Sequence, residues 1–206
     1  MNPWEETLDQ IGIKHGTDKS SKCHQFLDFY DNAFKDYRHK EIKILEIGID
    51  KGASIAMLRE YFTKAEIHAT DVIQSYLENI ENKKLYNVKC NYLDQSNKES
   101  LEKYFDDHGT FDIIIDDGSH KMSHQKLTFN VCMDKGLNEN GIYVLEDLHT
   151  SLLSQYPKSL YIDEEPTSLD MLKNLQKENT FNITIQETNT IGYPGEKSIT
   201  SIIKRN

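Results

Sequence analysis

The hydrophobic pattern of the chain alternates between short apolar runs and segments whose apolar residues recur every three to four positions. The apolar runs predict β-strands, and the segments between them predict helices. Strands are expected at residues 42–47, 66–71, 88–90, 111–116 and 141–145. Helices are expected at residues 53–62, 74–82, 98–105, 123–136 and 168–178. Strands and helices that alternate in this way are typical of a parallel sheet.

The two ends of the chain depart from this alternation. Residues 23–34 have a broad apolar helical face and follow the polar stretch 14–21, which predicts an N-terminal helix lying over the core. Two last strands are expected at residues 181–187 and 198–204. The roughly ten residues between them are too few for a helical crossover, so we expect an antiparallel hairpin. Residues 146–166 lack a sustained period and are interpreted as a long functional loop.

The predicted fold class is therefore α/β, with a doubly wound, mostly parallel sheet of seven strands. The chain has no internal repeat and no linker rich in proline and glycine, which favours a single domain over residues 1–206. Within it we expect an N-terminal helical cap at residues 1–40 and a Rossmann-like core at residues 41–206.

Charge and composition narrow the function classes. The 206 residues contain 34 acidic and 24 basic side chains, a net charge of -10 that disfavours binding to nucleic acids and to anionic membranes. No apolar run is long enough to span a membrane, and the first residues do not resemble a signal peptide, so we expect a cytoplasmic protein. The three cysteines share no close spacing, and we interpret them as reduced thiols.

Ligands in open α/β sheets bind outside the carboxyl ends of the strands, and the first such end suggests a particular cofactor. Glu46 stands where a dinucleotide-binding motif needs its first glycine, and its carboxylate would repel a pyrophosphate. It suits S-adenosylmethionine, which is cationic and carries no phosphate. Gly48 lets the backbone approach the ligand, and Asp71 ends the second strand, where a carboxylate can bind ribose hydroxyls. A tight turn and a helix cap would explain the same residues without a ligand.

Acidic residues also follow the fourth and fifth strands, which we expect to be neighbours. Asp117, Glu146 and Asp147 would repel one another unless a cation offsets their charge, and oxygen ligands favour a hard divalent ion such as Mg²⁺. His120 follows on the same loop as Asp117 and could accept a proton from a substrate hydroxyl. Alternatively, Asp117 could belong to a plain turn, and Glu146 and Asp147 could cap a helix, with no cation bound.

Several motifs together resemble a known family. They are GTDK at residues 16–19, His24, Tyr30, LEIGIDKGAS at 45–54, IIIDDGSH at 113–120 and GIYVLEDLHTS at 141–151. They are similar to metal-dependent, class I S-adenosylmethionine O-methyltransferases of macrolide sugars, of the macrocin and mycinamicin type, and to the cephalosporin-hydroxylase-like group. The resemblance covers residues 12–151.

The resemblance implies site residues. It implies that Asp117, Glu146 and Asp147 bind Mg²⁺ and that His120 is the general base. It implies cofactor binding by residues at the strand ends and in the cap, and we add Asp116, which ends the fourth strand. The cofactor set is Thr17, Lys19, Glu46, Gly48, Ser54, Asp71, Asp94, Gln95 and Asp116.

The resulting hypothesis is Mg²⁺-dependent transfer of a methyl group from S-adenosylmethionine to a hydroxyl of a sugar or glycosylated small molecule. Neither a nucleic acid nor a membrane is expected as partner, and self-association into a homo-oligomer is left open. One alternative is N-methylation of a small amine. Another is a mononuclear iron oxygenase, because Asp117, His120 and a second histidine such as His149 could form its ligand set. A third is a non-catalytic protein that binds an adenosine ligand.

Overall fold

Seven strands form one mixed sheet in the computed structural model, which describes residues 5–205. The order across the sheet is β3-β2-β1-β4-β5-β7-β6. The first five strands are parallel, while β7 runs antiparallel to both β5 and β6. This confirms the predicted fold class, including the C-terminal hairpin. The strands are β1 (Lys43–Ile47), β2 (Glu66–Asp71), β3 (Val88–Tyr92), β4 (Phe111–Asp116), β5 (Leu137–Leu145), β6 (Phe181–Asn189) and β7 (Lys197–Arg205).

Helices cover both faces of this sheet. None of those within residues 5–205 combines the length and apolar composition that crossing a membrane requires. Short 3₁₀ or π-helical turns at Lys35–Tyr37, Cys132–Gly136 and Leu148–Ser151 extend or connect the regular elements. The α-helices are α1 (Leu8–His15), α2 (Leu27–Phe34), α3 (Ala53–Tyr61), α4 (Gln74–Lys83), α5 (Lys98–His108), α6 (Met122–Val131), α7 (Lys158–Tyr161) and α8 (Ser168–Lys177).

The central strands are apolar throughout because both of their faces are buried. Successive side chains of a strand point to opposite faces. Ile44 and Ile113 pack with residues of the N-terminal helices and of α3 and α4, whereas Leu45 and Ile114 pack with residues of α5, α6 and α8. Glu46 is the exception, a fully buried carboxylate within β1. Uncharged polar side chains are also buried within β2 and β7, for example Thr70 and Thr200.

Three elements differ from the sequence-based expectations. The apolar pattern did not predict α1, although Thr7 and Gln10 form a capping box at its start and Gly16 closes it in a left-handed conformation. The helix expected at 123–136 ends its α-helical part at Val131 and continues as a π-helical turn. The loop at 146–166 contains a 3₁₀ turn and the short α7. The division into a cap at 1–40 and a core at 41–206 stays a prediction, and residues 1–4 and 206 lie outside the described range.

A close approach of two backbone segments holds the carboxyl ends of β1 and β4 together. Asp117 donates its N–H to the carbonyl of Ile47, and Gly48 donates its N–H to the carbonyl of Thr70. Gly48 has a φ of 84°, and a Cβ atom built on it would lie 2.2 Å from the carbonyl oxygen of Asp117. A side chain at this position is therefore excluded both by the backbone conformation and by the space.

We expect Gly48→Ala to lower the free energy of unfolding by about 3–5 kcal/mol, because a strained φ and a backbone clash add up. Gly192 is the matched control, since it has a φ of 89° and nothing within 4 Å of the place that a Cβ atom would occupy. Gly192→Ala should cost about 1–2 kcal/mol from the backbone conformation alone. Urea unfolding of both variants measures the difference, and equal losses would contradict the close approach described here.

Candidate active site

A cavity of about 820 Å³ opens at the carboxyl ends of the parallel strands, where ligands bind in open α/β sheets. Its volume is in the range of small-molecule sites. Three of the predicted site residues, Glu46, Asp116 and Glu146, are fully buried and do not line it. The predicted residues that line it are Thr17, Lys19, Gly48, Ser54, Asp71, Asp94, Gln95, Asp117, His120 and Asp147.

Asp71 is fixed at the end of β2 by the backbone of two neighbouring segments. Its Oδ2 accepts the N–H of Ile49 at 3.0 Å, and its Oδ1 accepts the N–H of Ile73 at 2.9 Å. Each carboxylate oxygen has a second lone pair that can accept a hydroxyl of a ligand. The side chain thus both joins β1 to β2 and presents acceptors to the cavity.

Gln95 and Asp116 form a hydrogen-bonded pair at the ends of β3 and β4. The Gln95 amide nitrogen donates to Asp116 Oδ1 at 2.9 Å and to Thr128 Oγ1 at 3.1 Å, and the Tyr143 hydroxyl donates to Asp116 Oδ2 at 2.8 Å. Burial raises the pKa of Asp116 to about 6, although the hydrogen bonds from Tyr143 and Gln95 oppose the shift. These hydrogen bonds pair both oxygens of the buried Asp116 carboxylate without any ligand. Its predicted role in cofactor binding stays a prediction.

Glu46 is a buried carboxylate whose two oxygens both lack a hydrogen-bond partner among the described residues. Burial raises its pKa to about 7, while the ammonium of Lys19 opposes the rise. A buried polar group without a partner costs free energy, so it calls for an explanation such as a ligand or ordered water. Glu46 is therefore suited to accept a hydrogen bond from a group bound in the adjacent cavity.

Asp117, His120 and Asp147 converge at the other side of the cavity. One ligand atom from each of these side chains lies within 4.8 Å of the other two. His120 Nε2 is 3.4 Å from Asp147 Oδ2, and His120 Nδ1 is buried without a partner in the described part of the chain. The arrangement confirms that the ends of β4 and β5 bring these three predicted residues together.

Glu146 is not one of these three residues, although its carboxylate shares the ammonium of Lys19 with Asp117. Lys19 Nζ donates to Glu146 Oε2 at 2.9 Å and also to Asp117 Oδ2. The second oxygen of Glu146, Oε1, is buried and has no partner in residues 5–205. Lys19 was predicted to bind the cofactor; it lines the cavity, and its ammonium contacts Asp117 and Glu146.

The carboxyl groups of Asp117, Glu146 and Asp147 have different electrostatic environments. Burial raises the pKa of Asp117 and raises that of Glu146 well above its ordinary value, although Lys19 opposes both shifts. Burial also acts on Asp147, but the charges of His120 and of two further histidines outweigh it and lower its pKa. Asp147 is therefore the carboxylate that stays ionised most readily.

The backbone is strained at the two loop positions that carry His120 and Asp147. Their φ angles are 58° and 54°, in the left-handed region that residues with a side chain rarely adopt. Such conformations cost about 1–3 kcal/mol and occur preferentially at functional sites. Here the strain coincides with two of the three side chains that converge.

The residues present fit a divalent cation. Asp117 and Asp147 offer two carboxylates, Glu146 Oε1 is a buried acceptor in need of a partner, and the imidazole of His120 lies beside the two aspartates. Mainly oxygen donors favour Mg²⁺ or a similar hard ion over a soft one. S-adenosylmethionine fits as well, because the cavity is large enough and Asp71 presents carboxylate acceptors to it, while the unpaired Glu46 is buried next to the lining residues Ile47 and Gly48.

Several residues of the cavity were not predicted from the sequence. Val72 and Ile73 directly follow Asp71 and are half exposed, and Tyr92 ends β3 with 59 % of its surface exposed. Their positions in the sequence could have predicted a place in the cavity, since these residues lie at the same strand ends as the acidic residues. Their apolar side chains, however, lack the charge that marks the acidic residues as candidates.

Comparisons with known proteins agree with this geometry. A model of the FtsJ-like methyltransferase family matches residues 20–154. The L-olivosyl-oleandolide 3-O-methyltransferase of Streptomyces antibioticus is 31% identical, with 82% of this chain and 44% of that protein covered. The mycinamicin VI 2''-O-methyltransferase of Micromonospora griseorubida is 29% identical, with 82% and 43% covered. The chain thus spans less than half the length of these relatives.

A similar solved structure is MycE, a methyltransferase of the mycinamycin biosynthetic pathway in complex with Mg, SAH and mycinamycin VI. The TM-score is 0.75 at 24% sequence identity, and the similarity covers 98% of this chain and 55% of that one. It supports the fold assigned above. Because the family model matches well over half of the residues, including the ends of β1, β4 and β5, the chain belongs to the FtsJ-like methyltransferase family.

Proposed function

We propose that this protein transfers a methyl group from S-adenosylmethionine to a hydroxyl of a sugar or a glycosylated small molecule, with Mg²⁺ as the metal. The observation that carries the proposal is the convergence of Asp117, His120 and Asp147 at one side of a cofactor-sized cavity. The names of the relatives, which act on sugars of natural products, support the class of acceptor.

Asp117 and Asp147 would hold the metal, and Glu146 would contribute its unpaired Oε1. When bound, Mg²⁺ supplies Lewis acidity that makes a nearby hydroxyl easier to deprotonate. The chain itself contributes the ligands and their fixed orientation, because the strained loops after β4 and β5 set where the carboxylates lie.

His120 is the proposed general base. Its imidazole would take the proton of the acceptor hydroxyl as the oxygen attacks the methyl carbon, while the bond from that carbon to sulfur breaks and S-adenosylhomocysteine leaves. Asp147 Oδ2, 3.4 Å from His120 Nε2, would stabilise the imidazolium that forms. Tyr161 packs edge-on near His120, with ring centroids 6.4 Å apart, and offers an aromatic surface beside the base for a sugar ring.

The cofactor would lie along the ends of β1, β2 and β3. Asp71 would accept ribose hydroxyls, and Gly48 would allow the ligand to approach the backbone. Val72, Ile73 and Tyr92 would provide apolar contacts for the adenine. Among the alternatives, an iron oxygenase leaves these residues without a task and does not agree with the family. N-methylation of an amine is the second outcome of the experiment below.

The acceptor can be identified by incubating the protein with S-adenosylmethionine, Mg²⁺ and panels of nucleotide sugars, glycosides and small amines. We expect a mass gain of one methylene unit in a sugar-containing acceptor, located on oxygen by fragmentation. Transfer to an amine only would contradict the O-methylation proposal. Binding of the cofactor without transfer to any panel would favour the non-catalytic alternative.

Removal of the metal should abolish turnover. We expect activity to fall to background after treatment with EDTA and to return when Mg²⁺ is added in excess, because Asp117 and Asp147 then regain their shared cation. Production of S-adenosylhomocysteine measures the rate. Full activity in thoroughly chelated protein would rule out the metal role.

His120→Ala should lower kcat by about 10²–10⁴-fold, the usual contribution of a general base. Binding of S-adenosylmethionine, measured by calorimetry, should stay close to that of the unaltered protein. His39→Ala is the control. This histidine is exposed, contacts Glu5 and Thr63, and is not among the residues that line the cavity. Equal rates for the two variants would show that His120 is not the base.

A further inference from the structure

Lys19 links the N-terminal segment to the acidic side chains after β4 and β5. It lies in the turn between α1 and α2, and its side chain is 4% exposed. Its ammonium donates to Asp117, 98 residues away, and to Glu146, 127 residues away. A buried ammonium is tolerated only when it is paired, so this contact is a specific feature of the fold.

The contacts of Lys19 use one oxygen of each carboxylate. Asp117 Oδ2 and Glu146 Oε2 accept hydrogen bonds from the ammonium, whereas Glu146 Oε1 is buried and has no partner among residues 5–205. A carboxylate can bind a cation through each of its oxygens. The ammonium therefore uses only part of the acceptor capacity of these two side chains, and Glu146 Oε1 still needs a partner.

The charges support the same arrangement. Asp117, Glu146 and Asp147 carry three negative charges when all are ionised, and Lys19 carries one positive charge. Among these four side chains two negative charges then remain, which one divalent cation would offset; the buried Glu46, which also acts on Lys19, is outside this count. Carboxylates this close together repel one another strongly when they are buried and not neutralised.

We propose that Lys19 is a positioning residue of the metal site, whose ammonium supplies one of the three positive charges that the Asp117, Glu146 and Asp147 carboxylates require. The inference rests on the proposed function, because Mg²⁺ supplies the other two charges. It leads to two consequences for a protein that lacks the ammonium. The metal-free state becomes less stable, and the divalent cation binds more tightly because a neighbouring positive charge no longer repels it.

The test compares the melting temperatures of the unaltered protein and of Lys19→Met, in EDTA and across a titration with Mg²⁺. In EDTA we expect a lower melting temperature for Lys19→Met. The stabilisation by Mg²⁺ should be larger in this variant, with an apparent affinity for Mg²⁺ increased on the order of tenfold. A Mg²⁺-induced shift equal to that of the unaltered protein would overturn the proposal.

Two control variants separate charge from packing. Lys126 is also largely buried and pairs with Glu164 at 3.1 Å, outside the acidic cluster. Lys126→Met should therefore show the Mg²⁺ response of the unaltered protein, and Lys19→Arg, which keeps the charge, should approach it. A Lys126→Met response as large as that of Lys19→Met would mean that loss of any buried lysine is sufficient, and would overturn the proposal.

If Lys19→Met does not fold in EDTA, the double variant Lys19→Met with Glu146→Gln decides the question. It removes one positive and one negative charge, so it should recover folding without metal. Failure to recover would show that Lys19 does not act through charge.

The Mg²⁺ titration also separates this inference from the proposed function. If the melting temperature of the unaltered protein does not respond to Mg²⁺, the proposed metal role is wrong. If the unaltered protein responds and Lys19→Met responds to the same extent, only the inference about Lys19 is wrong.

Discussion

The structure depends on the burial of several carboxyl groups at the ends of adjacent strands. Charges out of water must be neutralised or paired, and this requirement links parts of the chain that are distant in sequence. Asp117 follows β4, Glu146 and Asp147 follow β5, and Lys19 comes from the turn before α2. The order of the sheet makes β4 and β5 neighbours, and the N-terminal helices bring Lys19 above them. A single electrostatic constraint thus joins the segment between α1 and α2 to the centre of the sheet.

Tight packing and backbone strain surround the same point. Gly48 lets the end of β1 approach the backbone of Asp117, and His120 and Asp147 adopt left-handed conformations in the loops after β4 and β5. Such strain persists only where the surrounding structure determines it. Here the sheet, the close backbone contact and the ion pairs all act on one short region, which explains how side chains from separate loops keep a fixed relative position.

The sequence was sufficient to predict the fold and the strand ends at which the cavity opens, but not the contacts between the side chains there. Alternating apolar runs predicted the parallel sheet, because strands such as β4 are buried on both faces. The carboxyl ends of the strands then pointed to Asp71, Asp117 and Asp147. The ion pair from Lys19 to Glu146 spans 127 residues and has no local signal, so only the folded chain shows it. The helix α1 was missed for a different reason, because its readable signal is a capping box rather than a long apolar face.

The unequal environments of the acids indicate how the site can serve both a cation and a base. Asp147 has a lowered pKa beside histidines, so it carries its charge with or without a bound ion and can orient His120. Burial raises the pKa of Glu146 well above its ordinary value and the Lys19 ammonium opposes the rise, so a positive charge nearby favours the ionised form of Glu146. Asp117 contacts the Lys19 ammonium, and one of its oxygen atoms lies within 4.8 Å of a carboxylate oxygen of Asp147. Under the proposed function, Asp117 and Asp147 would hold the cation and Asp147 would in addition orient His120. Glu146 would contribute its unpaired Oε1, while the ammonium of Lys19 offsets part of the negative charge of the same cluster.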